Sequence, residues 1–362
     1  MTVSKNVLPQ NVFLVTLASL VFSGIAAAQT TLEEIVVTAT KRETSLQNAP
    51  VAVSVLQGED LARVGVVDPD ALAFLVPNVD VNSEANRDGL IITIRGVSGT
   101  DVRNGADPTT AFHVDGSYVP RLSGANAYFF DVNRVEVLRG PQGTLWGRNS
   151  TSGVVNVISN KPEFDAVGGN IEATGGNFNQ IVARGAINIP FSDNVAFRAA
   201  IMHNNHDGYS ENGGTGSVGI TKDANDADEL AFRAHLLSNI GENSSLLLTG
   251  EYYERQGVGQ AGHNLGCLTE AELAPFGLTS ATPAQPAGGV VTCNNTSDPL
   301  RLNPLNTQGH RDNSDSNFRL QFDHSFNSMD LYYLGAFRSH ERDYLDDNDG
   351  YPGTAKRCRY CL

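Results

Sequence analysis

Hydrophobic and polar positions follow two different rhythms on either side of residues 139–162. Before this stretch, short apolar runs such as VAVSVL at 51–56 and LIITIR at 90–95 are separated by short segments of helical character. After it, apolar and polar residues alternate with a period of two, for example over 195–202 and 331–338. Because this period places successive side chains on opposite faces of a strand, the pattern predicts an α+β region followed by amphipathic strands.

The α+β region, residues 50–162, has the size of one compact domain. Its pattern predicts strands at 51–56, 90–95, 131–138 and 154–158, and a helix at 59–64. A second helix is predicted to start at Pro69 with Asp68 as N-cap and to end before Pro77. The sequence AFHVDGSYVPR predicts a hairpin that turns at Asp115-Gly116.

The region after residue 162 contains roughly seven alternating segments of the length that transmembrane β-barrels use. One face of these segments is apolar, and the other carries arginines such as Arg184, Arg233 and Arg319. Short turns alternate with long polar links at 207–228 and 256–315, which is the connection pattern of a barrel in a membrane. A closed barrel also gives every backbone polar group a partner within the hydrocarbon layer.

The first 28 residues have the features of a secretory signal peptide. Lys5 supplies the positive charge, residues 12–22 form the apolar core, and the small residues Ala26 to Ala28 precede the cleavage site. A membrane anchor is the alternative, but the apolar run is short for a full span. We therefore expect an exported protein that crosses any membrane it spans with strands.

Composition excludes several classes of function. The net charge of −15 argues against a nucleic-acid-binding surface. Two GxGxxG strings, at 214–219 and 257–262, do not open a helix within a strand–helix–strand unit, so the sequence predicts no enzyme, no cofactor and no metal site. Cys267 and Cys293 could close a loop, and Cys358 and Cys361 could form a second pair, but the sequence leaves the cysteine pairing open.

An apolar strand-like segment lies close to the new N-terminus. Residues 34–40, EIVVTAT, are rich in β-branched side chains and have no obvious partner strand of their own. Such a segment can pair with the sheet edge of another protein. The alternative is a first strand of the domain's own sheet.

Three motifs resemble those of TonB-dependent outer-membrane receptors. EEIVVTATKRE at 33–43 is similar to the TonB box, and IRGV at 94–97 and VDGSYVPR at 114–121 are similar to parts of the plug domain. The most specific match is VEVLRGPQGTLWGRNSTSGVVNVISNKP at 135–162. The resemblance implies a signal peptide (1–28), a TonB-box segment with its linker (29–49), a plug domain (50–162) and barrel strands (163–362).

The resemblance also implies a function and its sites. TonB, driven by its inner-membrane energising complex, would bind Glu34, Ile35, Val36, Val37, Thr38 and Ala39. The loop at 98–107 would face a small-molecule ligand such as a ferric siderophore, through Ser98, Thr100, Asp101, Arg103, Asn104 and Asp107. The implied function is TonB-dependent uptake of a scarce ligand across the bacterial outer membrane, and outer-membrane lipid would surround the barrel strands as a partner. An ordinary solvated loop is the alternative for residues 98–107.

The barrel region departs from the family pattern. A barrel of about 22 strands of about ten residues needs about 220 residues before any loop is added. Residues 163–362, which include long links, do not supply them. We therefore expect an N-terminal fragment of a receptor, with a non-transporting product that at most binds TonB, or a passive porin, as alternatives.

Overall fold

A computed structural model describes ten parts of the chain: residues 36–42, 44–66, 69–83, 90–99, 107–122, 125, 128–209, 223–258, 309–346 and 356–361. The last of these is described by its backbone alone. Several residues that the sequence singles out lie outside these ranges: the signal peptide, Glu34, Ile35, Thr100, Asp101, Arg103, Asn104, Cys267 and Cys293.

In the described residues, the N-terminal domain (44–162) and the strand β1 before it contain three sheets and three short α-helices. In chain order, a two-residue strand β1 (Val36–Val37) precedes β2 (Thr44–Ser45), β3 (Val53–Gln57), α1 (Gly58–Arg63), α2 (Leu72–Leu75), β4 (Val79–Ser83), β5 (Leu90–Ile94), β6 (Thr110–Val114), β7 (Ser117–Val119), β8 (Val132–Arg139), α3 (Gly143–Trp146) and β9 (Gly153–Ser159). The main sheet has the order β3-β8-β9-β6-β7, and β4 pairs with β5. Only the β6–β9 pair is parallel.

Most predicted elements of this domain are present within a few residues of their expected bounds. The segment that starts at Pro69 begins with a 3₁₀ turn, Pro69–Ala71, before α2, and it ends before Pro77 as expected. The strand β4 was missed because VDVNS has only two apolar positions. Its pairing with β5, not its own pattern, makes it a strand.

The predicted Asp115-Gly116 turn joins β6 to β7. Both residues have positive φ angles, 48° and 76°, as the type I′ hairpin turn requires. Another glycine is needed for space: a Cβ on Gly153 would lie 2.2 Å from the Leu138 carbonyl oxygen. The sequence therefore fixes a close approach of β9 to β8 at this point.

Eight antiparallel strands follow and form one curved sheet, which we call the wall. They are β10 (Gly168–Gly175), β11 (Ile181–Ser192), β12 (Val195–His206), β13 (Ala227–Asn239), β14 (Ser244–Gly257), β15 (His310–Ser325), β16 (Asp330–Asp346) and β17 (Lys356–Cys361), each paired with the next. The described residues show no closure of β17 onto β10. The predicted fold class, an α+β domain followed by strands of an incomplete barrel, is confirmed.

The wall has one strand more than the sequence predicts. The additional strand, β17, has a polar sequence that shows no apolar alternation, and pairing with the end of β16 makes it extended. The alternating segments were otherwise predicted correctly, and their outward positions include exposed apolar side chains such as Ile187, Phe232 and Phe337. No helix within the described ranges is both long and apolar enough to cross a membrane.

Two apolar clusters lie on opposite faces of the main sheet. The larger cluster extends from Phe112 and Val155 to wall residues such as Met202 and Tyr253, so it attaches the N-terminal domain to the inner face of the wall. The smaller cluster contains Ala111, Leu138 and Trp146, and it is completed by Val37 and Ala39. The second face is therefore covered by the residues that precede the domain.

Candidate functional site

The predicted TonB box lies against the N-terminal domain. We call residues 36–42 the N-terminal segment. Its residues Val36 and Val37 pair antiparallel with Ser45 and Thr44, after a turn in which the Lys41 amide donates to the Thr38 carbonyl at 2.8 Å. The expectation that this strand has no partner in its own chain is therefore wrong, because the tight turn brings the following residues back beside it.

A row of polar side chains crosses the sheet beneath this segment. Glu136 on β8, Asn156 on β9 and His113 on β6 are register neighbours, and all three are buried. Thr38 donates from its backbone amide to one Glu136 carboxylate oxygen and from its hydroxyl to the other, both at 2.9 Å. Arg134 also donates to Glu136 at 2.9 Å. A fully buried carboxylate is thus satisfied partly by the N-terminal segment.

Trp146 supplies the second attachment of the segment. Its indole Nε1 donates to the Ala39 carbonyl oxygen at 2.9 Å. The side chains of Val37 and Ala39 are completely buried against it and its neighbours. Trp146 ends α3, and Gly147, with a φ of 81°, turns the chain away immediately afterwards. The ring is therefore held in place where it can cover the segment.

Lys41 and His113 contact opposite parts of the Trp146 ring. The Lys41 ammonium lies 3.7 Å from the ring centroid and donates to the Gly116 carbonyl at 3.4 Å. The His113 ring meets Trp146 edge-on, with the centroids 4.8 Å apart. Its Nδ1 lies 3.2 Å from the same Gly116 oxygen, so the neutral ring carries its proton there.

Burial changes the titration of both side chains. It lowers the pKa of His113 to about 4, with a further contribution from the nearby Lys41 charge and an opposing one from the hydrogen bond to Gly116. Burial also lowers the pKa of Lys41 to about 8. At neutral pH a neutral histidine therefore lies beneath the segment, and its protonation would place a second positive charge near Lys41.

The segment is attached without becoming a strand of the main sheet. Its contacts include a two-residue ladder, three hydrogen bonds to Glu136 and Trp146, the two contacts of the Lys41 ammonium, and two small buried side chains. Its removal would leave every ladder of the five-stranded sheet intact. The arrangement is therefore suited to reversible docking of an extended peptide.

The predicted ligand loop is described only at its two ends. Ser98 follows the tight turn that closes β5, and Asp107 precedes β6. Asp107 accepts a hydrogen bond from Asn149 at 3.1 Å and lies 3.7 Å from an Arg148 nitrogen, with its side chain mostly exposed. The structure thus places one predicted ligand contact beside the turn after Trp146, and the role of this loop remains a prediction.

Charged side chains join the N-terminal domain to the wall at the other end of β6. Asp115 contacts Arg319 of β15 and Lys161, both at 2.7 Å. Arg319 in turn contacts Glu251 of β14, which also binds Arg233 of β13. Burial alone would raise the pKa of Asp115, but the charges of Lys161 and Arg319 hold it well below its usual range. The carboxylate is therefore ionised and paired.

Sequence reasoning missed most of the docking residues. Glu136 stands between two valines of β8, an alternation typical of a strand with one solvent-facing side, yet both faces of its sheet are covered. Trp146 is the only tryptophan in the sequence, but no local pattern relates it to Ala39. The signal that could have revealed Glu136 is an acidic residue between two valines in a strand near the middle of a domain. No group of three or more metal-ligating side chains occurs in the described part of the chain.

Comparison with known proteins identifies the N-terminal domain. The family model for the TonB-dependent receptor plug domain matches residues 45–154. The chain is 34% identical over 152 residues to the pesticin receptor of Yersinia pestis, which covers 41% of this chain and 22% of that protein. It is 32% identical over 169 residues to an iron-regulated outer membrane virulence protein of Vibrio cholerae, and this match covers 43% of this chain and 24% of that protein.

The fold extends the similarity beyond the N-terminal domain. The crystal structure of the ferric yersiniabactin uptake receptor FyuA from Yersinia pestis superposes with a TM-score of 0.65 at 16% identity. That match covers 82% of this chain and 42% of FyuA, so it includes the wall. The chain thus spans less than half the length of the proteins that it matches.

Proposed function

We propose that the chain is part of a TonB-dependent outer-membrane receptor of the siderophore-receptor type and that it acts in energy-coupled uptake of a scarce ligand across the outer membrane. The relatives named for ferric siderophores make a ferric siderophore the leading candidate for that ligand. The proposed role is that of a transport receptor and not of an enzyme.

One observation carries the proposal: the N-terminal segment is docked on the plug domain by contacts that can be exchanged. TonB would bind residues 34–39 by taking over the backbone groups and small side chains that Glu136, Trp146 and β2 now hold. Strand addition of this kind gives affinity through main-chain hydrogen bonds, which are available wherever β1 leaves its two-residue ladder. The proposed ligand contacts remain Ser98, Thr100, Asp101, Arg103, Asn104 and Asp107.

The first test removes the coupling segment from the receptor in its own outer membrane. We expect deletion of residues 34–40 to abolish energised uptake of iron while leaving binding of the iron chelate at the cell surface unchanged. The probes are ferric complexes of a hydroxamate, a catecholate and a phenolate chelator, supplied singly to iron-starved cells. Uptake that survives the deletion would show a passive pore instead.

The second test uses the single tryptophan as a reporter of docking. Because Trp146 lies directly beneath Ala39 and Lys41, departure of the segment exposes its ring and shifts its emission to longer wavelength. Titration with a tryptophan-free periplasmic domain of TonB should produce this shift, and the deletion of 34–40 should produce it without TonB. TonB binding without any iron uptake would support the non-transporting alternative.

A further inference from the structure

Three aromatic rings form an exposed array at one rim of the wall. His206 is the last residue of β12, Tyr209 lies three residues further on, and Phe178 is at the centre of the turn between β10 and β11. The ring centroids of Phe178 and Tyr209 are 5.9 Å apart, and those of Tyr209 and His206, which are stacked, are 6.3 Å apart. Phe178 is 49% exposed and Tyr209 is 42% exposed, so these three residues, which we call the rim array, are open to solvent.

The backbone around the rim array is held in place by specific contacts. The Asp207 amide donates to the Phe178 carbonyl at 2.8 Å, and the Asn179 side chain donates to the Asp207 carboxylate at 2.6 Å. A Cβ on Gly208 would lie 2.4 Å from the Asp223 carbonyl oxygen, so the chain passes close to the residues before β13 at this point. The two segments that carry the rings are therefore fixed relative to each other.

Phe178 adopts a backbone conformation that large side chains rarely take. Its φ angle is 56°, and that of Asn179 is 54°. Asparagine tolerates this left-handed region, but for a bulky residue it is unfavourable, and turns usually place glycine or asparagine there. An exposed phenylalanine stabilises neither this turn nor a core, and residues held in such conformations cluster at ligand sites. The presence of Phe178 is therefore better explained by a ligand than by the stability of the turn.

The rim array does not belong to the lipid-facing surface of the wall. His206 follows Met202 and Asn204 on one face of β12, and both of these residues are buried on the inner side of the wall. Outward side chains of the same strand, such as Ile201, alternate with them and are exposed. Membrane barrels carry girdles of aromatic residues on the lipid side. Tyr209 instead stacks on a ring of the inner face, so the array faces water at the rim.

Hydrogen-bond acceptors surround the rim array. The His206 Nδ1 lies 2.9 Å from the Asp207 carbonyl oxygen, so in the neutral ring this nitrogen carries the proton and Nε2 is an acceptor. The Asp207 carboxylate and the Asn179 side-chain oxygen are further acceptors beside it. No lysine or arginine within the described ranges lies over any of the three rings. Such a surface favours a neutral ligand with several hydroxyl donors over an anionic ligand.

We propose that the rim array is a carbohydrate-binding site that takes a neutral pyranose ring. The C–H groups of such a ring carry a partial positive charge and pack against the negative face of an aromatic ring. Its hydroxyl groups donate to His206, Asp207 and Asn179. The rim is the end of the wall with the long links, which in an outer-membrane barrel faces the outside, where saccharides are available. This site is separate from the loop at 98–107 and does not depend on the proposed uptake.

Saturation-transfer-difference NMR tests the site on the receptor in a detergent without sugar headgroups. The probes are the methyl pyranosides of glucose, galactose and mannose, and the oligosaccharide released by mild acid from the glycolipid of the same outer membrane. Phe178→Ala and Tyr209→Ala should each weaken binding about tenfold, because each removes a ring that packs on the sugar. Phe178→Tyr keeps the ring and should retain binding.

Phe191→Ala is the matched control. Phe191 is an exposed ring that stacks on Phe197 at 6.2 Å at the opposite end of β11 and β12, so its loss should leave binding unchanged. All variants must first give the heat-modifiable band of the unchanged receptor, which shows that they are folded.

The two kinds of probe identify the source of the sugar. Tighter binding of the oligosaccharide than of the methyl pyranosides would identify the membrane glycolipid, and equal binding would identify a free saccharide. Binding of no saccharide, or an equal loss in Phe191→Ala, would overturn the site. A signal from free catechol alone would also overturn it, because the array would then recognise aromatic ligands. Iron uptake takes no part in these measurements, so a failure of the proposed uptake would be seen separately.

Discussion

The plug domain is attached at two places by opposite physical means. On one face the N-terminal segment is held by Glu136 and Trp146 through neutral donors, short side chains and a two-residue ladder. At the other end of the sheet, Asp115 and Arg319 join the domain to the wall through buried charges that several partners share. The first attachment can be exchanged for another strand, whereas breaking the second leaves charges without partners.

This difference allows the N-terminal segment to leave one side of the domain while the other side stays attached to the wall. A hydrogen bond contributes about 0.5–1.5 kcal/mol when its groups can find other partners. Removing one member of a buried ion pair costs about 3–5 kcal/mol. The N-terminal segment is therefore expected to leave well before the domain separates from β13–β15.

The largest effect is expected from the wall. Arg319→Met removes one of the two cationic partners of each buried carboxylate, Asp115 and Glu251, which keep Lys161 and Arg233. The free energy of unfolding should fall by about 3–5 kcal/mol. Urea denaturation of the detergent-solubilised receptor, followed by proteolysis of the N-terminal domain, measures the loss. A loss below about 1 kcal/mol would show that Arg319 does not hold the N-terminal domain to the wall.

A smaller effect is expected at the docking residue. Glu136→Gln keeps the shape of the side chain but removes the charge that accepts from Thr38 and Arg134, so docking should weaken by about 1.5–3 kcal/mol. Tryptic cleavage after Lys41 and Arg42 should accelerate accordingly. Glu242→Gln, in an exposed turn, serves as the matched control and should leave the cleavage rate unchanged. Equal rates in both variants would show that Glu136 does not hold the segment.

Acid should weaken docking through His113. Its pKa in the docked state is about 4, below the usual 6.5, so the undocked state binds more protons between these values. The free energy of docking then has its full value above about pH 6.5, and between pH 6.5 and pH 4 it falls by at most about 1.4 kcal/mol per pH unit. The emission of Trp146 measures the extent of docking. His113→Phe keeps an aromatic ring and should remove the pH dependence; an unchanged acid response would point to another group.

The smallest effect is expected from a single neutral hydrogen bond. Trp146→Phe retains an aromatic ring under Lys41 but loses the donor to the Ala39 carbonyl, which should cost about 1 kcal/mol of docking. Tryptic cleavage after Lys41 again provides the measurement. Tyr360→Phe in β17, far along the chain from the segment, should have no effect on cleavage. A change as large as that of Glu136→Gln would mean that both contacts share one cooperative unit.

Local sequence determined the elements and the order in which they follow one another. Alternation identified the wall strands from Gly168–Gly175 to Asp330–Asp346, and the Asp115-Gly116 pair specified the hairpin turn. The motif at 135–162 identified the family, because its glycines and apolar residues satisfy one particular set of close approaches. These features depend on neighbours in the chain, so a single sequence is enough to find them.

Contacts between distant residues were decided only by the tertiary structure. Thr38 and Glu136 are 98 positions apart, and Asp115 and Arg319 are 204 apart, so no local pattern relates them. The burial of Glu136 and the docking of Val36–Val37 both arise where the plug sheet meets other parts of the chain. Alternation shows on which face of a strand a side chain lies. Only packing determines whether water, a lysine or another strand covers that face.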